Sequence, residues 1–375
     1  MNRSKVCIIS QFPPPMHGLS KAVDTIVNSY LNNKYDLEII DTKNNKAILK
    51  TIYKIMISDA DLFYFTISQS VGGNLRDLLI LKLLRFQKKK CLIHLHGGDY
   101  RKLIENDVSK IQKKMNYRAI KGLDGVIVLS ASLKSIFEGM ITPERIFTVE
   151  NCADDEFILP EEDARKKCET LINKSEHRVL YLSNFIKEKG YREVLNLALL
   201  EKKRVENSGE KKFHFHFAGK FFDQEEEYFN TFVSRHNLTD YVTLHGVVGG
   251  EKKQHLLREC DMFILPTRYP NEGQPISILE AMGNAMFIIT TDHAGIPDVV
   301  QDGKNGVVAT ADITIEQLYA RMLSQKDLQD VCYNNYTLCV SRFSQSNYLA
   351  SVDKVWSILL REDSSRRTDN ENSKK

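Results

Sequence analysis

The stretch MFILPTRYPNEGQPISILEAMGNAMFIIT, residues 262–290, decides the fold. Residues 262–265 are a short apolar run stopped by Pro266, the pattern of a buried strand. RYPNEG, 268–273, is a loop at the carboxyl end of that strand. Pro275 suits the first turn of a helix, where its missing N–H costs nothing, and 276–284 continue as a helix. MFIIT, 286–290, is a second buried strand. Two buried strands joined through a helix run parallel, in a sheet covered on both faces.

The same alternation extends outward in both directions. In the first half, strands are predicted at 6–10, 36–40, 62–66, 91–95, 126–129 and 146–149, with amphipathic stretches such as 19–32 and 103–121 between them. Strands at 179–182, 213–218, 241–244, 262–265, 286–290 and 306–308 form a second series, with helices at 191–207, 224–236, 252–260, 276–284 and 314–323. The charged segment 159–177 reads as a linker. The reading is therefore α/β, with two Rossmann-like doubly wound domains facing across a cleft. The first covers 1–165 and the second 166–342. A helix over 343–360 and a disordered tail over 361–375 follow. Ligands of such sheets sit beyond the carboxyl ends of the strands. No GxGxxG follows a strand, which argues against a nicotinamide or flavin enzyme.

Composition narrows the class further. The chain of 375 residues is 42% apolar and 27% charged. It has no apolar run long enough to span a bilayer, and its N-terminus lacks the apolar core of a signal peptide. The seven cysteines show neither a CxxC pair nor metal-ligand spacing, the pattern of reduced thiols in a cytoplasmic protein. Net charge is +3, but residues 1–150 hold 23 basic and 14 acidic residues, +9, leaving −6 for the rest. Residues 76–121 alone carry 13 basic and 4 acidic residues. A membrane surface, lipid phosphate or nucleic acid would meet that excess. No basic platform interleaved with aromatic residues supports nucleic acid. The segment 74–90 has leucines at helical spacing followed by lysines, which fits either a core-packed helix with a solvated basic end or a helix lying on an anionic membrane.

Glu272 and Glu280 stand out within 262–290. Amides at the start of the helix can receive a phosphate, and two nearby carboxylates can accept hydrogen bonds from hydroxyls. A phosphorylated sugar uses both features. By itself the spacing fits equally a solvated loop glutamate and a helix glutamate in a local ion pair.

The order of the surrounding motifs supplies a context. The stretch 264–308, with its Glu-x7-Glu pair, EAMG, AGIPDVV and DGKNG, resembles the family 4 retaining glycosyltransferases of the GT-B fold, a group 1 type. YLSNFIKEKGYREVL (181–195), FHFAGK (215–220), VTLHG (242–246) and CDMFILPT (260–267) fall in the family's order. PPPMHGLSKAV (13–23), HLHGGD (94–99) and VENCADDEF (149–157) resemble its first-domain and interdomain elements more weakly.

The resemblance implies a retaining, metal-independent sugar transfer from a UDP- or GDP-linked donor, with no cofactor. The acceptor would be a glycan or a polyprenyl-diphosphate-linked sugar, bound by the first domain at the cytoplasmic face of a membrane. The helix 343–360 would pack back on that domain. Glu280 would hold the ribose hydroxyls and Glu272 the donor sugar. Gly273, Gln274, Pro275 and Ile276 would form the backbone wall facing sugar and phosphate. Lys189 would neutralise the departing diphosphate, Gly18 would let the first loop approach it, and His96 would lie near the transferred sugar. The catalytic set is thus His96, Glu272 and Lys189. One position departs from the family: Asn184 stands where it usually has an arginine, so a weakly active scaffold relative stays open. So does a GT-B epimerase or phosphorylase.

Overall fold

The computed structural model describes residues 3–14, 18–44 and 47–372. The chain divides into two compact units, Met1–Asn151 with Gln345–Lys375, and Cys152–Ser344. All twelve predicted strands are present.

The first unit holds β1 (Lys5–Ser10), β2 (Asp36–Asp41), β3 (Leu62–Thr66), β4 (Cys91–His94), β5 (Gly125–Val128) and β6 (Ile146–Thr148). They form one parallel sheet in the order β2-β1-β3-β4-β5-β6. β3 reads LFYFT and is buried along its whole length, as a strand with helices on both faces must be. The helix predicted over 103–121 is interrupted. A short π-helical turn, Leu103–Asp107, is followed by a fresh α-helix, Lys110–Lys121, which Ser109 caps through its hydroxyl.

The second unit holds β7 (His177–Leu182), β8 (Phe213–Ala218), β9 (Val242–Gly246), β10 (Met262–Leu265), β11 (Phe287–Thr291) and β12 (Gly306–Ala309). Its order is β12-β11-β10-β7-β8-β9, again all parallel. The direction of winding reverses between β7 and β10, so the loops leaving these two strands bracket the crevice of the sheet. Phe185 and Phe217 stack on each other, and both pack edge-on against Phe229 in the unit's core.

The C-terminal helix, Gln345–Asn372, starts two residues later than expected and packs with the first unit. Trp356 is fully buried edge-on against Tyr35 and Tyr64, and the Tyr348 hydroxyl donates to the Ala22 carbonyl. The stretch 361–372, read as a disordered tail, continues as helix, and 373–375 lie outside the described residues. The expected linker 159–177 contains the helix Glu161–Thr170. Its inward face is only Ala164 and Cys168, too little apolar signal to show in a charged sequence. Phe157, Leu159, Ala164 and Cys168 belong to the core of the second unit, so residues 152–165 go with that unit rather than the first.

Candidate donor-binding site

Lys189 and Glu272 are 83 residues apart in sequence, yet they meet because the loops after β7 and β10 lie on either side of the switch point. The Arg268 amide donates to the Glu188 carbonyl at 2.7 Å and ties the two loops together. Gly190, next to Lys189, has φ +85°, and a Cβ there would lie 2.4 Å from the Pro266 carbonyl oxygen. Only glycine permits this approach.

Glu272 is 8% exposed. Its Oε2 accepts from Lys189 Nζ at 2.6 Å and from the Thr267 hydroxyl at 3.1 Å. Thr267 Oγ1 in turn accepts from the Tyr269 amide at 3.2 Å. The Lys189 ammonium lies 4.7 Å from the centre of the Tyr269 ring, so a carboxylate and an aromatic face both hold it. The Tyr269 carbonyl contacts His293 Nε2 at 2.8 Å. A charge this far from water needs a partner, and each member of the pair supplies it for the other.

Glu280 is the fifth residue of the helix Ile276–Met282 and is 4% exposed. Its Oε1 accepts from Lys253 Nζ at 2.6 Å, and that ammonium lies 4.0 Å from the Phe157 ring centre. Asn284 Nδ2 donates to the Glu280 carbonyl at 2.8 Å. Pro275 sits at the N-cap, φ −64° and ψ 119°, one residue before its expected place in the first turn. The residue before a helical turn takes extended backbone angles, which a proline ring accepts. Gln274 is buried, and the Gly273 carbonyl accepts from the Gly295 amide at 2.9 Å. The amides of Gly273, Ile276 and Ser277 meet no backbone acceptor among the described residues.

The second unit thus brings Lys189, on the loop after β7, to Glu272 on the loop after β10, which continues through Gly273, Gln274, Pro275 and Ile276 into the helix that carries Glu280. Asn184 lies in the loop after β7 with an exposed side chain, and its carbonyl accepts from the Tyr181 hydroxyl at 3.0 Å. Arg268 lies on the loop after β10 that faces this one. Its guanidinium pairs with Asp292 at 3.2 Å and donates to the Ala309 carbonyl. Lys253, Thr267 and Tyr269 escaped the sequence reading. Lys253 lies in the lysine-rich opening of the helix Gly250–Glu259, where nothing distinguishes it from a solvated charge.

His96 and Gly18 belong to the first unit. His96 follows β4, half-buried, with its ring 4.0 Å from that of His94. His94 is fully buried beside the Tyr64 hydroxyl, and burial, then the neighbouring His96, push its pKa well below the usual histidine value. Gly18 opens the helix Gly18–Val27, and a Cβ there would meet nothing within 4 Å. The protein's own packing does not demand glycine at that position.

Comparison with known proteins defines the class. Residues 162–337 match the family described as "Glycosyl transferases group 1". That match covers just under half of the chain, and the two-sheet fold is that of GT-B enzymes of solved structure. It is similar to HepE of Anabaena, solved with UDP, at a TM-score of 0.71 and 14% identity over 94% of this chain and 99% of that one. It is also similar to WaaG, described as a glycosyltransferase involved in lipopolysaccharide biosynthesis, at a TM-score of 0.65 and 13% identity over 94% and 99%. The amylovoran biosynthesis glycosyltransferase AmsK of Erwinia amylovora is 28% identical over 88 residues, 22% of each chain. WcaL of Salmonella typhimurium, named for colanic acid biosynthesis, is 31% identical over 85 residues, 22% of this chain and 21% of that one. The match thus spans about a fifth of the length of these curated relatives. Among the described residues no helix is long and apolar enough to cross a membrane.

Proposed function

We propose that this protein is a retaining glycosyltransferase that moves a sugar from a nucleoside-diphosphate donor to a glycan or lipid-linked acceptor during surface polysaccharide synthesis. The observation that carries this reading is the buried Glu272, held by Lys189 and Thr267 at the crevice of the second sheet and eight residues before the buried Glu280. HepE, similar in fold, has been solved with UDP and with UDP-glucose, and a UDP- or GDP-linked sugar is the proposed donor here.

In this reading the ribose hydroxyls displace part of the Lys253 contact on Glu280. The sugar hydroxyls donate to Glu272. The free amides of Gly273 and Ile276, together with Lys189, face the charge that builds on the leaving diphosphate, where fixed donors act most strongly. A double displacement would need a carboxylate at the anomeric carbon. The reading instead uses attack on the same face, assisted by the leaving diphosphate. It assigns His96 to the sugar and Gly18 to the diphosphate, and it requires no metal. The acceptor is proposed to be presented at the inner face of an anionic membrane.

The test is a panel of nucleotide sugars, scored by thermal shift and by diphosphate release with a lipid extract as acceptor source. Binding and turnover that are lost in Glu272→Ala and Glu280→Ala support the reading. If every donor fails and both variants behave like wild type, the reading is wrong. Asn184 favours a second reading, a scaffold relative with weak chemistry, because it carries no charge where the resembled family usually has arginine, and Arg268 pairs with Asp292. Turnover by the isolated chain excludes that reading.

A further inference from the structure

Three helices lie side by side on one face of the first unit: Ile48–Ile57, Val71–Phe86 and Lys110–Lys121. Gln87 Nε2 donates to the Met56 carbonyl between the first two. Asn74 and Asn116 hydrogen-bond at 2.8 Å between the second and third. All three expose large apolar residues: Tyr53 and Ile57, Leu79 and Phe86, Ile111 and Met115. Phe86 is 85% exposed. Single exposed apolar residues need no explanation, but a concentration of them on adjacent helices does.

Between the second and third helices runs a groove of about 610 Å³. Leu78, Leu81 and Met115 form its apolar wall, and Lys82, Arg85 and Arg118 stand along it. Three of the four acidic residues in 76–121 are already engaged: Asp77 with Arg76, Asp99 with Lys102 and Glu105 with Lys113. Arg85 spends one N–H on the Arg118 carbonyl. Among the described residues Lys82, Arg85 and Arg118 form no ion pair. The groove therefore offers an apolar slot edged by uncommitted cations, which complements an anionic amphiphile.

We propose that this three-helix face is a bilayer-docking surface and that the groove seats one anionic phospholipid. An acyl chain would lie along Leu78, Leu81 and Met115, the phosphate would meet Arg85, Arg118 and Lys82, and Phe86 would enter the apolar layer. This goes beyond basic attraction through 74–121, since it adds the helix Ile48–Ile57 and a hydrophobic anchor. It rests on the membrane part of the proposed function and not on the donor part.

The test is co-sedimentation of the full chain with vesicles of phosphatidylcholine, alone or mixed with phosphatidylglycerol. The expected result is binding to the mixed vesicles only. Phe86→Ser should weaken partitioning by about tenfold to a hundredfold, the effect of one buried aromatic side chain. Arg85→Gln with Arg118→Gln should weaken it by about 25-fold, near fivefold per charge. Lys203→Gln with Lys252→Gln, on the second unit, should change nothing. Unchanged far-ultraviolet circular dichroism verifies the fold of each variant. Absence of binding to the mixed vesicles overturns the proposal, as does binding that ignores Phe86→Ser or responds equally to both charge pairs. A thermal shift with nucleotide sugar, measured without vesicles, reads the donor site separately, so the two failures are distinguishable.

Discussion

Replacing Gly190 by alanine probes how the donor loops are held together. The perturbation has two parts. At φ +85° an L side chain is strained by about 1–2 kcal/mol. The added Cβ would also lie 2.4 Å from the Pro266 carbonyl oxygen and 2.8 Å from its carbon. Both are backbone atoms at the end of β10 and can yield only by moving the loop that carries Glu272. Overpacking of this kind costs about 1–3 kcal/mol more, so the total is about 2–5 kcal/mol. Gly209 provides the internal control. It has φ +74° in the same unit, and a Cβ there would meet nothing within 4 Å. Gly209→Ala should therefore show the conformational part alone. For a unit of this size each kcal/mol lowers the melting midpoint by about 2–4 °C. Differential scanning calorimetry should find the second unit's transition lowered by about 5–15 °C in Gly190→Ala and by about 2–6 °C in Gly209→Ala. Donor affinity should fall only in the former. Equal shifts for the two variants, or unchanged donor affinity in Gly190→Ala, would refute the claim that close approach of these loops builds the site.

Other expectations follow from single contacts. Lys189→Met leaves the buried Glu272 carboxylate with the Thr267 hydroxyl alone and should cost about 3 kcal/mol in urea unfolding, while Lys189→Met with Glu272→Leu should cost less. The same Lys189→Met should lower turnover by about 100-fold or more. Trp356→Ala empties a site closed by Tyr35 and Tyr64 and should destabilise the first unit by about 3–5 kcal/mol in chemical denaturation. Asp261 gives a pH dependence. Burial raises its carboxyl, but His177 at 3.8 Å, Lys174 at 2.6 Å and the Arg178 amide at 2.9 Å outweigh burial and hold its pKa below the usual carboxylate range. A depressed pKa stabilises the fold above the unfolded carboxyl pKa, and that contribution is lost as pH falls through the folded value. Stability of the wild type should thus fall more steeply below about pH 4 than that of Asp261→Asn, measured by denaturant midpoints across acid pH.

The strands were legible because parallel strands buried on both faces read as unbroken apolar runs, as in LFYFT and MFIL. Chain order alone does not reveal that winding reverses between β7 and β10, so Lys189 and Glu272 could be proposed separately but not as a pair. The helix Glu161–Thr170 stayed hidden because two small residues, Ala164 and Cys168, make its whole inner face. Lys253 stayed hidden for the opposite reason. It is one lysine among several in a charged helix, and only the position of Glu280 in three dimensions selects it. The exposed apolar residues of the first unit could not be told from core residues by their type, since Leu78 and Leu79 look alike in sequence, yet the first is buried and the second about half exposed.

In the proposed function Glu272 and Glu280 grip one nucleotide sugar. Isothermal titration of UDP and of UDP-glucose into wild type, Glu272→Gln and Glu280→Gln tests it most directly, with GDP and GDP-mannose titrated in parallel. One nucleotide series should bind. Glu280→Gln should weaken the nucleotide and its sugar conjugate alike, by about tenfold or more for a lost charged hydrogen bond. Glu272→Gln should weaken only the conjugate. Equal affinity of all three proteins for every ligand that binds would contradict the proposed grip.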